Sequence, residues 1–437
     1  MSRLLVRRSL TAVGIYSSVV LGFAATVVAA RVFHSTERFG DYATVLFAAA
    51  LSQVFFDLTV EEALVKYGFR YSTAGDWGRL RRLFTSALRF KLVGSALGAA
   101  ALVVFAFLAP SRMFVALLLA AGIPLGQSLE GLAGAVLYLR SRYDVRAVLL
   151  AWSMGLRLVG VAVGARYGLA EAIGGVLAAQ VLATATVVVT GWLGFRRFPQ
   201  APSAPLADDR RGIVSFILQS SAATGVVSLR TSLAPLLLGA VSTTVQVGLF
   251  RVAQAPQSAF QSLSAPARMV LLTEQTRDWE RGEQAAVLRG VRRYSAAAFV
   301  LSLVLVPPLL IFLPDLIRLL YTSAYVDASN AARIFTLAAA VQLVVGWTKS
   351  FPVTIGRPGL RIVTHGIEAL VVLPLVVLFG AFWNATGAAV AVLIGMVVFA
   401  AVWVVIFLRI EPHDVGPPPA LDAEAALEES EAGALAR

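Results

Sequence analysis

The sequence contains no cysteine, little charge and few histidines, and each of these shortages excludes a class of protein. Without cysteine among its 437 residues, the chain has neither a disulfide framework nor a thiolate metal site. Its three histidines, His34, His365 and His413, lie far apart, and no Walker loop, HExxH or GxSxG motif occurs. The sequence therefore predicts no enzyme, no catalytic residue, no cofactor and no metal site.

Charged residues make up 14% of the chain and hydrophobic residues 58%, and the mean hydropathy is +0.79. A soluble domain of this composition could not cover itself with polar surface. The apolar runs are too long for strands and do not alternate with polar residues, which argues against a β-barrel. The sequence therefore indicates an all-α integral membrane protein.

Twelve apolar stretches are long enough to cross a bilayer, because a hydrocarbon core of about 30 Å needs about 20 helical residues. They predict transmembrane helices at residues 11–33, 42–65, 88–109, 113–139, 147–165, 171–195, 213–238, 244–267, 294–313, 329–349, 361–382 and 387–408. The first stretch is too long for a cleavable signal peptide, and no small-residue cleavage site follows it. We therefore expect the first stretch to remain as a transmembrane helix.

Positive charge is concentrated in every second gap between these helices. Of the 37 Lys and Arg residues, 28 lie at the N-terminus, in the even-numbered gaps or in the tail, whereas the odd-numbered gaps hold five. Because basic residues favour the cytoplasmic side, both termini are predicted to be cytoplasmic. The net charge of +12 is explained by this orientation and by anionic lipid headgroups, so no nucleic-acid partner is predicted.

A polar linker with several prolines, residues 199–212, divides the predicted helices six and six. Similar motifs recur in the two parts: FGDY at 39–42 opens the second helix, and VGLF at 247–250 opens the eighth. This repeat predicts two homologous six-helix lobes, residues 1–198 and 213–409, related by an axis along the membrane normal. Residues 410–437 are predicted to form a disordered acidic cytoplasmic tail.

Ionisable residues inside the predicted helices are functional candidates. Glu130 and Arg157 lie at similar depths on the fourth and fifth helices, counted at about 1.5 Å per residue, and predict a structural ion pair. Arg230 and Arg251 also share a depth, on the seventh and eighth helices, and neither helix carries an acid in its membrane interior. Two like charges at this position require a watery cavity or a bound anion.

Arg31, near the outer end of the first helix, is the third candidate for anion binding. The alternative for these three arginines is snorkelling to headgroups or capping of backbone carbonyls. Asp57, inside the second helix, is a candidate for coupling to a proton or a sodium ion. In the alternative interpretation, Glu61 and Glu62 are interfacial and pair with Lys66 or a neighbouring arginine.

Four glutamines are candidates for a polar cavity lining that offers hydrogen-bond donors and acceptors to a sugar. They are Gln53, Gln219, Gln254 and Gln257. Hydrogen bonding between helices explains such residues equally well. The sequence leaves both roles open.

A series of short motifs runs along the chain in a constant order. These are ARVF at 30–33, ERFGDY at 37–42, DL at 57–58, ALV at 63–65, LLLG at 236–239, VGLF at 247–250, LLY at 319–321, AARI at 331–334, IGRP at 355–358 and TGAA at 386–389. In order and spacing, from about residue 5 to residue 408, they resemble the polysaccharide/oligosaccharide flippases (Wzx-like) of the multidrug/oligosaccharidyl-lipid/polysaccharide (MOP) exporter superfamily. One departure is His34-Ser35-Thr36, where that family usually has Gly-Pro.

The resemblance implies a V-shaped MOP/MATE-like bundle of two lobes around a central cavity, lined mainly by helices one, two, seven and eight. It also implies a cationic cavity that accepts the pyrophosphate or acidic sugars of a polyprenyl-linked oligosaccharide. Arg31, Arg230 and Arg251 lie on the implied lining helices. The depth shared by Arg230 and Arg251 follows from the residues alone and agrees with this expectation.

The predicted function is therefore a flippase in the bacterial inner membrane. It would move an undecaprenyl-pyrophosphate-linked oligosaccharide, a repeat unit of O-antigen, exopolysaccharide or capsule, between leaflets by alternating access. The expected partners are this polyprenyl-diphosphate-linked oligosaccharide and membrane lipids. The glycan polymerase machinery is a further candidate partner.

Three alternative functions stay open at this point. A MATE-type cation or drug antiporter shares the two lobes but would depend on acids such as Asp57 more than on arginines. A membrane glycan polymerase or ligase needs a sizeable outer loop with catalytic Arg and His, whereas the largest outer gap, 314–328, has no histidine. A non-transporting scaffold is disfavoured by the intramembrane charges.

Overall fold

The computed structural model describes residues 3–56, 60–206, 209–263, 275, 278–279, 283–355, 357 and 359–410. Within these ranges all regular secondary structure is helical, so the all-α prediction is confirmed. Asp57 and residues 411–437, which include almost all of the predicted tail, lie outside the described residues.

The N-terminal half, residues 3–206, is built from helices α1 to α8. They are α1 (Arg3–Val32), α2 (Thr36–Phe56), α3 (Val60–Thr73), α4 (Trp77–Leu108), α5 (Phe114–Ala120), α6 (Gly122–Leu139), α7 (Tyr143–Gly164) and α8 (Leu169–Arg196). A 3-10 turn, Ser111–Met113, precedes α5. The start of α4 is capped by the Asp76 side chain, which accepts a hydrogen bond from the Arg79 backbone N–H at 3.0 Å, as is usual for Asp at this position.

The C-terminal half, residues 209–410, begins with a helix that changes its winding. After α9 (Asp209–Ser228), a π-helical turn (Leu229–Leu233) leads into α10 (Ala234–Val241). The other helices are α11 (Thr244–Ala253), α12 (Ala255–Leu263), α13 (Gln284–Leu320), α14 (Ser329–Val344), α15 (Phe351–Thr354) and α16 (Gly359–Leu408). Such π turns are frequent at functional sites.

The long helix α16 turns back on itself at Asn384, whose φ is 54° and ψ is −138°. Asparagine tolerates this left-handed φ because its side chain is short and polar, and its Oδ1 accepts a hydrogen bond from Ser242 Oγ at 2.6 Å. Beyond the turn, Gly387 lies against the backbone of Phe379. The element is therefore an antiparallel pair, and its halves cover the predicted eleventh and twelfth helices.

Eight helical stretches in the described ranges are long and apolar enough to cross a membrane. They lie at residues 9–32, 77–108, 111–139, 143–164, 169–196, 209–241, 284–320 and 359–408. The chain is a multi-pass membrane protein by this measure. The count of twelve crossings and the cytoplasmic position of the termini stay predictions.

We call the end of the bundle with the turns at 33–35 and 242–243 the His34 end, and the end with 197–206 the linker end. At the His34 end, one hydrophobic core contains residues of both halves, among them Phe33, Phe39, Phe250 and Tyr325. At the linker end there are two distinct cores, one around Leu80 that also contains Ile213 of α9 and one around Trp403 made of C-terminal residues. The halves therefore join at the His34 end and diverge towards the linker end, apart from a contact of α3 with α9.

The junction at the His34 end depends on two glycines. Helices α2 and α11 cross there, and a Cβ atom on Gly40 would lie 1.8 Å from the carbonyl oxygen of Thr244. A Cβ atom on Gly248 would lie 3.1 Å from Gly40 Cα. Only glycine permits backbones to approach so closely. Polar contacts add to this junction, since Tyr325 donates a 3.1 Å hydrogen bond to the carbonyl of Ala30.

Candidate functional site

A cavity of ≈ 390 Å³ lies between the two halves, with walls from α1, α2, α7, the π turn and α11. Its polar lining consists of Thr26, Tyr42, Arg157, Thr231, Ser232 and Arg251. The remaining lining residues are apolar or glycine, and no carboxylate is among them. The cavity is therefore cationic. It includes walls from the helices implied by the family resemblance and adds α7.

Arg157 and Arg251 enter this cavity from opposite halves. Tyr42 lies beside Arg157 in the cavity lining, and the guanidinium carbon of Arg251 lies 5.3 Å from the centre of the Phe47 ring. The two guanidinium groups are close enough to repel each other. Across the described ranges, no ion pair joins either of them to a carboxylate. Two uncompensated cations in one cavity make an anion the favoured occupant.

A second space, a cleft of ≈ 610 Å³, lies between α1 and the helices α12 and α13. Its walls are mostly apolar, with Val20, Phe23 and Leu313 as examples. Thr26 and Arg251 line both the cleft and the central cavity. The cationic cavity therefore adjoins an apolar cleft at Arg251, which is a suitable arrangement for an amphipathic molecule.

Arg31 does not line the central cavity. Its Nε donates a 2.7 Å hydrogen bond to the carbonyl of Leu320, and its Nη2 donates to the carbonyl of Leu319. Arg31 thus caps the end of α13 and joins the two halves at the His34 end. This is the backbone-capping alternative rather than the predicted anion contact, and free carbonyls at a helix C-terminus favour a cation there.

Arg230 has an acidic neighbour, Glu368, which lies on α16 and not on the predicted seventh or eighth helix. Its Nε lies 3.1 Å from Oε1 of Glu368, and the two side chains are only 10% and 2% exposed. Glu368 also accepts a contact from His365, whose Nδ1 lies 2.9 Å from Oε2. The carboxylate comes from α16, far along the chain, so the prediction of an uncompensated Arg230 is wrong.

Sequence reasoning missed Glu368 and His365, although a usable signal was present. Glu368 is an acid inside the predicted helix at 361–382, and such a residue is a functional candidate by its position alone. His365 precedes it by one turn, so the two side chains share a helix face.

The predicted ion pair of Glu130 with Arg157 is also wrong. Glu130 Oε1 lies 3.3 Å from Nη1 of Arg146, and its Oε2 accepts a 3.0 Å hydrogen bond from Gln180. Helix α7 packs mainly against α1 and α8 and approaches α6 little. Equal depth on a sequential hairpin therefore did not bring Arg157 to Glu130, and Arg157 lines the central cavity instead.

The four candidate glutamines lie in different surroundings. Gln254 lines the apolar cleft, and Gln53 is half-buried on α2. Gln257 is buried and donates a 3.3 Å hydrogen bond to Gln342 of α14, which is the helix-to-helix role. Gln219 is exposed and bonds within α9. The structure does not bring the four together around one lumen.

The acids near the start of α3 have partners other than Lys66. Glu61 Oε1 lies 2.7 Å from Nζ of Lys91, whose side chain is 1% exposed. Glu62 accepts a hydrogen bond from Ser220 of α9. The predicted coupling residue Asp57 lies outside the described residues, so its role stays a prediction.

No protein-family profile matches the chain, and no curated protein sequence matches it. Solved structures do match. An inward-facing multidrug resistance MATE family transporter of the MOP superfamily superposes with a TM-score of 0.72 at 12% identity, covering 93% of this chain and 97% of that chain. The chain has the fold of MOP superfamily transporters.

Another structure with the MOP fold, the lipid II flippase MurJ in an inward closed conformation, superposes with a TM-score of 0.68 at 14% identity, covering 92% and 87% of the two chains. An outward-facing MATE family transporter superposes with a TM-score of 0.58 at 14% identity, covering 91% of this chain and 94% of that chain. These neighbours are transporters and a flippase rather than enzymes.

Proposed function

We propose that this protein is a flippase that moves a polyprenyl-diphosphate-linked oligosaccharide across the bacterial inner membrane. The observation that carries the proposal is the junction of a cationic cavity with an apolar lateral cleft at Arg251. An undecaprenyl-pyrophosphate-linked oligosaccharide combines an anionic head with a long apolar chain. Each part of such a substrate matches one of the two spaces.

The diphosphate would bind in the cavity between Arg157 and Arg251. Arginine offers phosphate oxygens two parallel N–H donors, and charge-assisted hydrogen bonds of this kind are about twice as strong as neutral ones. Moving bare phosphate charge through a region of low dielectric constant is very costly. Two guanidinium groups with no carboxylate of their own compensate that charge, and the substrate in turn relieves the repulsion between them.

The polyprenyl chain would leave the cavity through the cleft between α1 and α12. The cleft is lined by apolar side chains such as Val19, Leu309 and Ile317. A chain of this kind can therefore remain in an apolar environment while the head moves. A drug-sized cation needs no such exit, and a cation would be repelled by Arg157 and Arg251.

For the anionic head group to cross the membrane, the two halves must separate at the His34 end and join at the linker end. Their shared core at the His34 end and the two distinct cores at the linker end support an inward-facing starting state. In the opposite state, the contact of Gly40 with Thr244 would open.

The test is flipping by the purified protein in proteoliposomes, with a fluorescent polyprenyl-diphosphate disaccharide and a membrane-impermeant quencher. We expect Arg157→Gln and Arg251→Gln each to lower the initial rate at least about tenfold, because each removes a charge-assisted contact. The exposed Arg166 supplies a matched control, since Arg166→Gln should flip at the wild-type rate.

A normal rate in the double variant Arg157→Gln/Arg251→Gln would contradict the proposal. Efflux of ethidium by the wild-type protein, insensitive to both substitutions, would favour the MATE-type antiporter instead. Protein amounts in the liposomes are matched in every arm, so that a folding defect is not mistaken for a transport defect.

A further inference from the structure

A group of three ionisable side chains lies inside the C-terminal half, beside the central cavity. Glu368 stands between two basic groups, with His365 Nδ1 at 2.9 Å from Oε2 and Arg230 Nε at 3.1 Å from Oε1. The His365 side chain is 16% exposed, and its ring stacks on Phe399 with centroids 4.8 Å apart. One buried carboxylate therefore serves two basic partners.

The contacts that His365 and Arg230 make with Glu368 differ in hydrogen-bond geometry. Arg230 Nε and Glu368 Oε1 are close, yet neither atom makes an aligned hydrogen bond to any described residue. His365 and Glu368 lie one turn apart on α16 and meet in hydrogen-bond geometry. The histidine is therefore the fixed neighbour of the carboxylate, and the arginine is held by charge alone.

Apart from Arg361, which lies one turn before His365 on α16 itself, the other charges around this group are distant in sequence and have different surroundings. Helix α16 packs against α9, the π turn, α10, α11, α14 and α15. The ionisable residues of these elements, apart from Arg230, are Asp209, Arg210, Arg211, Arg251 and Arg333. The first three lie in the first turn of α9, Arg251 lines the cavity, and Arg333 donates to the carbonyl of Leu310.

The charge balance of the group depends on His365. With a neutral imidazole, the positive Arg230 and the negative Glu368 compensate each other. A proton on His365 gives one carboxylate two cationic neighbours and leaves a net positive charge in a buried site, which is costly at low dielectric constant. Release of one cation relieves that cost at Glu368, and the less well aligned partner, Arg230, is the one to leave. The receiving cavity already holds Arg157 and Arg251, so its volume of ≈ 390 Å³ and its hydroxyl lining must solvate the third cation.

The π turn provides a path for this release. Arg230 lies in it, and the next two residues, Thr231 and Ser232, already line the central cavity. A π turn contains an extra residue relative to an α-helix, so its conversion to α-helical bonding rotates one flank by about 100°. Such a rotation would carry Arg230 from Glu368 towards the wall with Arg251.

We propose that His365, Glu368 and Arg230 form a proton-binding switch, in which a proton on His365 transfers Arg230 from Glu368 to the central cavity. A third cation there strengthens anion binding. By thermodynamic linkage, an anion in the cavity favours proton uptake to the same extent. The effect on the anion rests on the proposed function, whereas the proton-dependent movement does not.

The movement is measured first, without any anion. The natural chain has no cysteine, so spin labels go only onto two introduced cysteines, Leu193→Cys on α8 and Leu218→Cys on α9, both at exposed positions. In lipid nanodiscs, the distance distribution between them should change between about pH 8 and about pH 5, the range that brackets histidine titration. His365→Asn and Glu368→Gln should abolish this change.

Two further variants exclude other proton sites. His34→Asn alters an exposed histidine with φ of 51°, a conformation that asparagine also adopts, and should keep the response. Asp57→Asn tests the other candidate proton site, and loss of the response in that variant with the response kept in His365→Asn would overturn the switch. A wild-type distance that does not depend on pH, or a change that persists in His365→Asn, would overturn the switch.

The second measurement is the affinity of the same nanodiscs for inorganic pyrophosphate. We expect binding to be about tenfold tighter at the lower pH in the wild-type protein, as one added charge-assisted contact implies, and equal at both pH values in His365→Asn. Equal wild-type affinities would overturn the coupling. No pyrophosphate binding with an intact pH-dependent movement would contradict the proposed function but leave the switch in place.

Discussion

Each half of the molecule carries one arginine in a largely buried ion pair and one in the central cavity. Arg146 and Arg230 have a carboxylate within 3.3 and 3.1 Å, respectively. Arg157 and Arg251 line the cavity. The residue type is the same in all four cases. The difference shows that the function of an arginine inside a membrane protein depends on whether another helix supplies an acid.

The two ion pairs also differ from each other. In the N-terminal half, Glu130 uses both oxygens, towards Arg146 and Gln180. In the C-terminal half, Glu368 is shared with a histidine, and its contact with Arg230 is not an aligned hydrogen bond. The first arrangement is suited to holding helices together, and the second to releasing a charge.

The largest effect on stability is expected from the N-terminal pair. Glu130→Gln leaves Arg146 without its carboxylate in a buried site and should lower the free energy of unfolding by about 3–5 kcal/mol. A double-mutant cycle measured by thermal unfolding in detergent tests the assignment. The coupling energy between Glu130→Gln and Arg146→Gln should be large, and that between Glu130→Gln and Arg157→Gln should be near zero. The reverse result would support the ion pair of Glu130 with Arg157 that depth along the helices predicts.

A smaller effect is expected from the C-terminal pair. Glu368→Gln should lower the free energy of unfolding by only about 1–2 kcal/mol, because Arg230 can turn from the lost carboxylate to the cavity. The same thermal assay measures it, with Glu130→Gln as the reference. A loss as large as that of Glu130→Gln would mean that Arg230 cannot leave, and the two pairs would then be equivalent.

The smallest effect on stability is expected from the cavity arginines. Arg157→Gln and Arg251→Gln should change the free energy of unfolding by no more than about 1 kcal/mol, since relief of the repulsion between them offsets the lost contacts with Tyr42 and Phe47. Loss of flipping without loss of stability would separate these two residues from the paired ones. A strong destabilisation by either substitution would instead indicate a structural role, and the cavity arginines would then not differ from the ion-paired ones.

Much of the fold follows from composition and periodicity. Long apolar runs determine helices, since a backbone in lipid must satisfy its own hydrogen bonds. The sharp turn at Asn384 falls in the short gap between the predicted eleventh and twelfth helices, 361–382 and 387–408. The crossing of α2 and α11 through Gly40 and Gly248 lies in the two motifs, FGDY and VGLF, on which the internal repeat was inferred.

The candidate site was predicted only in part. Arg251 was placed correctly beside a cavity, and a lining from the first, second, seventh and eighth helices agrees with the walls observed. Arg157 was assigned to Glu130, and Arg230 was assigned no acid, because depth along a helix specifies neither its rotation nor its distant neighbours. The missing acid, Glu368, is 138 residues from Arg230 in the sequence.

The sequence by itself determined that this protein lies in a membrane, that it is helical, and which charges have to be compensated inside the membrane. Those properties depend on residue type and local spacing, which can be read along the chain. Only the tertiary structure decided which charge compensates which. Ion pairing acts over a few ångströms, and the helices that approach so closely here, such as the π turn and α16, are brought together by packing of the whole bundle.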